Sequence, residues 1–362
     1  MMSSWKECKL GDIAFFQRGH DLSKTQMNDG LIPVAGSNGI IGFHDKATTK
    51  APGITIGRSG NIGTPKFYNK DFWAHNTVLY VKDFKGNDEK FVFYYLNIMD
   101  LSGFNSGSAV PTLNRNYIHE INIKVPPIEE QKAIAEVLSS LDDKIDLLHR
   151  QNQTLEDLAG TLFRQWFIEE AKEEWEEKPL SKIADFLNGL ACQKFPPQNE
   201  IDKLPMLKIK DLKDGISENS DYATSDVKPE YIVNNGDVIF AWSASLMVKI
   251  WDGEQCVLNQ HLFKVTSKDF PKWFYYHWCK FHLDNFIAIS SEHATTMGHI
   301  KRGDLDEAIC IVPSNKELLK MDDEISPIFE KLETNSKQIK TLENLRDTLL
   351  PKLLSGEVRV ER

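Results

Sequence analysis

The chain has 362 residues, 41% apolar and 27% charged, and a formal net charge of −10; this excludes a disordered or fibrous protein and fits two or three folded domains. Met1–Cys8 lacks the apolar core of a signal peptide, and no later apolar run approaches the ~20 residues that span a bilayer, so a cytoplasmic protein without a membrane partner is expected. Acidity counts against a DNA binder, whose affinity rests on Lys and Arg, but residues 1–126 carry 14 basic against 11 acidic residues while 127–174 carry 5 against 12.

In chain order, residues 1–126 read as a globular unit opening at Trp5, Leu10, Ile13, Ala14, Phe16 and Gly19. Three polar loop segments stand out in it. Gly36-Ser37-Asn38-Gly39 offers Ser37 and Asn38; Gly57-Arg58-Ser59-Gly60-Asn61-Ile62-Gly63 follows the strand-like Ile54–Ile56 and offers Arg58, Ser59 and Asn61; Asn114-Arg115 closes the unit. Glycines let backbone amides approach a phosphate, and a guanidinium reaches a guanine edge or a phosphate, although the same residues also close plain turns. No Gly-Lys-Ser/Thr makes the second loop a nucleotide-binding P-loop. Pro126-Pro127 ends the strand-like Ile121–Val125 and begins a helical segment over 127–174. Its seam, Leu138, Leu141, Ile145, Leu148, Asn152, Leu155, Ala159 and Leu162, alternates steps of three and four, as a coiled coil does.

Residues 175–313 form a second globular unit in which Lys208, Lys210, Trp242, Ser243, Ser245, His299, Lys301 and Arg302 occupy the places of the polar loops above. The lysines suit phosphate contact. Trp273–Cys279 reads as an aromatic helix packed on a core, which accounts for His277, Cys279 and His282 without a metal. The five cysteines (Cys8, Cys192, Cys256, Cys279, Cys310) are scattered and form no C-x-x-C pair, so they read as reduced structural thiols. A last helix over 314–362 carries the seam Ile325, Ile328, Leu332, Asn335, Ile339, Leu342, Arg346 and Leu349.

The chain is a tandem duplication. Trp5, Leu10, Ile13, Ala14, Phe16 and Gly19 recur as Trp175, Leu180, Ile183, Ala184, Phe186 and Gly189, all 170 residues on. Leu113, Arg115, Ile118, Val125 and Pro126 match Ile300, Arg302, Leu305, Val312 and Pro313 at a separation of 187, as do Thr154-Leu155-Glu156 and Thr341-Leu342-Glu343. If the two helices run antiparallel with paired positions summing to 487, both seams match and Asn152 faces Asn335, an amide pair able to set register, or merely two amides at a wet seam. A seam of 25 residues spans ~37 Å, close to one turn of B-DNA, so the helices suit a ruler between two reading units.

Val125-Pro126-Pro127-Ile128-Glu129-Glu130-Gln131-Lys132-Ala133-Ile134-Ala135 resembles the central helical region of type I restriction-modification specificity subunits. The openings at Trp5 and Trp175, the run Gly107–Asn114 with Ser108, and the closing Leu353-Leu354-Ser355-Gly356-Glu357-Val358 resemble the same family, covering nearly the whole chain. The resemblance implies an α+β fold: two α/β target-recognition domains (1–126 and 175–313) separated by two long antiparallel coiled-coil helices (127–174 and 314–362). It also implies double-stranded DNA, two methyltransferase subunits and restriction-translocase subunits as partners. The second half departs from the pattern, with Thr295-Thr296-Met297-Gly298-His299-Ile300 in place of the Gly-Ser loop and Ser314-Asn315-Lys316 in place of the Pro-Ile-Glu-Glu-Gln entry. No Asn/Asp-Pro-Pro-Tyr tetrapeptide and no methyl-donor loop is present, so no catalysis, cofactor or metal is expected. A self-contained DNA enzyme and a protein-binding coiled-coil adaptor are the competing readings.

Overall fold

The computed structural model describes residues 5–101, 103, 112–217, 219–292 and 299–360. They divide into two compact units, Met1–Asp146 with Lys340–Arg362 and Leu147–Ile339.

In the first unit, strand Lys6–Lys9 pairs antiparallel with Asn122–Val125, Lys6 opposite Val125. A four-stranded antiparallel sheet follows in the order Phe15–Arg18, Val78–Asp83, Gly53–Gly57, Pro65–Tyr68. A second sheet runs Gly39–His44, Ile32–Gly36, Trp73–Ala74, the last pair parallel. Alternate residues of the first sheet (Phe16, Ile54, Ile56, Leu79, Val81) bury against Phe91, Val92 and Leu96 of helix Glu89–Asn97, whose cap is Asp88. Ile134 and Leu138 of the first long helix and Leu353 and Leu354 of the second complete that core.

The second unit repeats this plan. Glu176–Pro179 pairs with Ile309–Val312, and the four-stranded sheet runs Asp185–Asn188, Leu262–Thr266, Val238–Ala241, Met247–Ile250 in the same order and sense. Lys203–Leu207 again lies parallel to its neighbour, Cys256–Leu258. The units differ after this strand: Ile32–Gly36 turns straight back into Gly39–His44, whereas Lys203–Leu207 leads into helix Ile209–Asp214 and strand Tyr222–Thr224. Helix Lys272–Phe281 buries every side chain from Trp273 to Cys279, as expected for a core helix. Gly19 and Gly189 share a backbone reason for recurring, since a Cβ would stand 2.0 Å from His75 O in one unit and 2.3 Å from Asn259 O in the other.

The long helices are Ile128–Arg164 and Asn315–Ser355, the first continuing through a π-turn to Glu169. Within each unit they run antiparallel: Asp142 meets Arg346 and Glu130 meets Arg359 in the first, Asn152 meets Asn335 and Lys172 meets Glu317 in the second. The entry motif anchors the first helix in two directions, Gln131 to the globular unit and Glu130 to the chain's closing segment. Gln131 is buried, its amide donating to Pro126 O (3.0 Å) and Asn87 Oδ1 (2.9 Å), and Glu130 takes the Arg359 guanidinium at 2.6 Å.

Asn335 is fully buried and donates to Asn152 Oδ1 at 2.9 Å. Replacing Asn152 alone with Leu strands that amide and should cost about 1–3 kcal/mol, while Leu at both positions should recover most of it, read as urea midpoints. His277 is packed among Phe163, Tyr276 and Phe329 with no partner for Nδ1 among the described residues, and burial pulls its pKa down to about 3. Its folded value lies below its unfolded one, so the stabilisation is complete above pH ~6.5 and is lost as pH falls below it. Between pH 7 and pH 5, His277→Gln should therefore lose about 2 kcal/mol less stability than the parent chain.

Candidate nucleic-acid interface

In the first unit the end of strand Gly53–Gly57 enters a loop closed on itself. Gly57 N–H donates to Thr64 O (3.2 Å), Gly63 N–H donates to Gly57 O (2.9 Å), and the Asn61 side chain accepts from the Thr64 hydroxyl (3.1 Å). Gly57 has no room for a side chain, a Cβ there lying 1.6 Å from Asn61 O. Arg58 and Ser59 N–H both donate to Thr77 O (2.8 and 3.2 Å), and Arg58 O accepts from Leu113 N–H (2.8 Å). The glycine loop thus differs from the sequence expectation: the amides of Gly57, Arg58, Ser59 and Gly63 are spent inside the protein, because the loop has to close against its neighbours.

Around it lie the other expected positions. Ser37 N–H donates to Thr77 Oγ1 (3.3 Å), and the Ser37 hydroxyl lies 3.3 Å from where a Gly60 Cβ would be; Asn38 beside it is exposed. Asn114 caps helix Arg115–His119 by accepting from Asn116 N–H (3.0 Å), and Arg115 is exposed at its first position. Ser108 lies outside the described residues. Arg58 Nη1 donates to Asn76 O at 3.3 Å; burial, and then the nearby Arg18, lower its pKa from the usual value. Arg18 pairs with Asp21 at 3.0 Å, and Asp21 also accepts from the Asn76 side-chain amide, the first cause of its lowered pKa.

The second unit builds the same rim from different side chains. Trp242 N–H donates to His261 O (3.4 Å) and Ile300 N–H to Trp242 O (3.1 Å), as Arg58 does with Thr77 and Leu113. Ser243 bridges His299 as Ser59 bridges Thr112. The Trp242 indole donates to Asn188 Oδ1 (3.1 Å), stacks on Phe263 and meets His299 edge-on at 6.2 Å. Ser243 is only 4% exposed and bonds His261 Nδ1 at 3.1 Å, so it supports the rim from beneath instead of presenting a hydroxyl; Ser245 is exposed. Lys208 caps helix Ile209–Asp214 and its ammonium pairs with Asp221, while Lys210 is exposed on that helix. Lys301 caps helix Arg302–Glu307, its N–H donating to Asp304 at 2.6 Å, and Arg302 borders a depression with Ser181, Asp185 and Leu187.

Sequence reasoning missed Arg18, Asp21 and His75-Asn76-Thr77 in the first unit, and Asn188 and Asn259-Gln260-His261 in the second. The sequence carries almost no signal for them: at the offset of 184 that the strand pairing sets, Ala74–Val81 and Leu258–Val265 share only Val81 and Val265. Among the described residues, no group of His, Cys, Asp or Glu could hold a metal ion, and no helix is long and apolar enough to cross a membrane.

A family model described as the type I restriction modification DNA specificity domain matches residues 2–157 and 172–345. The chain is similar to the type I restriction enzyme MjaIX specificity subunit of Methanocaldococcus jannaschii, 32% identical over 293 residues, which cover 73% of this chain and 66% of that protein, just under two thirds of its length. It is also similar to the MjaVIII specificity subunit of the same organism, 23% identical over 76% of this chain and 71% of the relative. The crystal structure of a type I restriction-modification S subunit from M. genitalium shares the fold, with a TM-score of 0.65 over 98% of this chain and 96% of that one at 16% identity.

The closure of the loop after Gly57 gives a direct test. Gly57→Ala should destabilise the first unit by about 2–4 kcal/mol in thermal or urea unfolding, because the Cβ meets backbone with no flexible side chain to yield; an unchanged midpoint would mean that the loop opens freely.

Proposed function

Since the chain belongs to the type I restriction-modification DNA specificity family, whose members are non-catalytic specificity subunits, we propose that it reads a split, asymmetric duplex sequence, one half-site for each globular repeat. Residues 1–126 and 175–313 are the reading domains. The helical segments 127–174 and 314–362 are the spacer and the docking surface for two adenine methyltransferase subunits, which restriction-translocase subunits join. A cytoplasmic site of action belongs to the same reading.

One observation carries it. The same backbone rim occurs twice, Arg58-Ser59 against Thr112-Leu113 and Trp242-Ser243 against His299-Ile300; the supporting serine is kept, but Arg58 gives way to Trp242 and Thr112 to His299. A protein that binds one ligand twice would keep those side chains; one that reads two different half-sites has to change them while keeping their mounting. Arg58, Ser59, Ser37, Asn38, Asn61, Asn114 and Arg115 then serve the first half-site. Trp242, Ser245, His299, Lys208, Lys210, Lys301 and Arg302 serve the second, with Ser243 holding His261. The Asn152–Asn335 pair sets the helix register, since a slip of seven residues would set Asn152 against Leu342 or Ile328.

Sequencing of adenine methylation in DNA exposed to this chain together with the modification subunit of its system, and to each alone, tests the reading. Methylation of one bipartite, asymmetric sequence only when both are present is the expected result. Its absence from a soluble, associated complex would refute it.

A further inference from the structure

The turn between strands Trp73–Ala74 and Val78–Asp83 is anchored on three sides. His75 N–H donates to Ala35 O (3.0 Å), His20 N–H to Ala74 O (2.7 Å) and Gly19 N–H to Val78 O (3.0 Å). The turn before Leu262–Thr266 is anchored alike, by Asn259 N–H to Leu207 O (3.3 Å), Leu190 N–H to Leu258 O (2.9 Å) and Gly189 N–H to Leu262 O (3.0 Å). In both, the first and third side chains are tied to the scaffold. His75 contacts Leu22 O and Thr77 Oγ1, Thr77 also bonds Ser37 N–H, Asn259 is 2% exposed, and His261 bonds Ser243.

The middle residue is half-buried in each and lies beside the rim residue: Arg58 donates to Asn76 O, and Trp242 donates to the carbonyl of His261, next to Gln260. In both units that residue is a carboxamide, although its neighbours on the rim, Arg58 and Trp242, differ. Asp21 fixes which end of the Asn76 carboxamide it holds. A carboxylate accepts only, so the amide nitrogen points at Asp21, spending one of its two protons and leaving the other proton and Oδ1 for a ligand. Gln260 likewise places its amide nitrogen 3.4 Å from His261 Nε2. A carboxamide with one acceptor and one donor on offer matches the N6 amino group and N7 of adenine in the major groove.

We propose that Asn76 and Gln260 each read one adenine, in the first and second half-site respectively, and that Asp21 is a positioning residue for Asn76. This rests on the bipartite-reading function above.

The test is selection from a random duplex pool by the assembled complex carrying the parent chain, Asn76→Ala, Gln260→Ala or Asp21→Ala, each variant first shown to melt like the parent. Asn76→Ala should relax one adenine in one half-site by about 10- to 100-fold and leave the other half-site untouched, and Gln260→Ala should do the converse. Asp21→Ala should weaken selection at the Asn76 adenine alone. If Asp21 acted only through its charge, removing it would raise affinity for every sequence. A relaxed base other than adenine, uniform weakening, or an unchanged consensus overturns the proposal. Failure of the parent complex to select any bipartite sequence overturns instead the function on which it rests.

Discussion

The antiparallel ribbon of Lys6–Lys9 with Asn122–Val125, and its copy of Glu176–Pro179 with Ile309–Val312, hold the two ends of each globular repeat side by side. Each long helix leaves immediately after the ribbon, at Ile128 and at Asn315, so its starting point is set by backbone pairing and not by a pliant linker. A second closure lies over it. Glu130 grips Arg359 beside the Trp5 ring, and Glu317 takes Lys172 and the Trp175 indole N–H. These are equivalent positions in the duplication, so both repeats close with the same device, a glutamate one turn into a long helix holding a cation and flanked by a tryptophan. Within a closed repeat the rim residues can differ, as Arg58 and Trp242 do, without moving the start of the helix.

The parts of this architecture legible in the sequence were those enforced by local chemistry or by repetition. The pair Gly19 and Gly189 could be found by offset, and the reason for it is a carbonyl that crosses where a Cβ would be. Pro126 and Pro313 marked the ends of strands, and the stepping of Leu138 to Leu162 marked a helical seam, because both signals are one-dimensional. The family resemblance was legible in the entry motif, whose Gln131 anchors the helix to the globular unit and whose Glu130 holds Arg359.

The rim was read less well. Arg58, Ser59 and Ser37 do converge, but through Thr77, whose importance comes from three hydrogen bonds to residues 18 to 40 positions away in the chain. No pattern within a loop announces that. Four of the loop's amides, those of Gly57, Arg58, Ser59 and Gly63, are taken up inside the protein, because glycine permits a tight loop and a tight loop bonds its own backbone. Ser243 looked like a loop hydroxyl and is a buried strut, since the bridge to His299 covers it.

The two repeats share a scaffold and differ in what fills it. Six of the eight tryptophans (Trp166, Trp175, Trp242, Trp251, Trp273 and Trp278) belong to the second unit. Trp5 and Trp73 are the first unit's share, and the counterpart there of the rim residue Trp242 is Arg58. The protein is consequently lopsided as an optical object. Six of its indoles lie in one repeat, and Trp242, half-buried and stacked on Phe263, is a built-in fluorophore on that repeat's rim, where the other repeat carries Arg58.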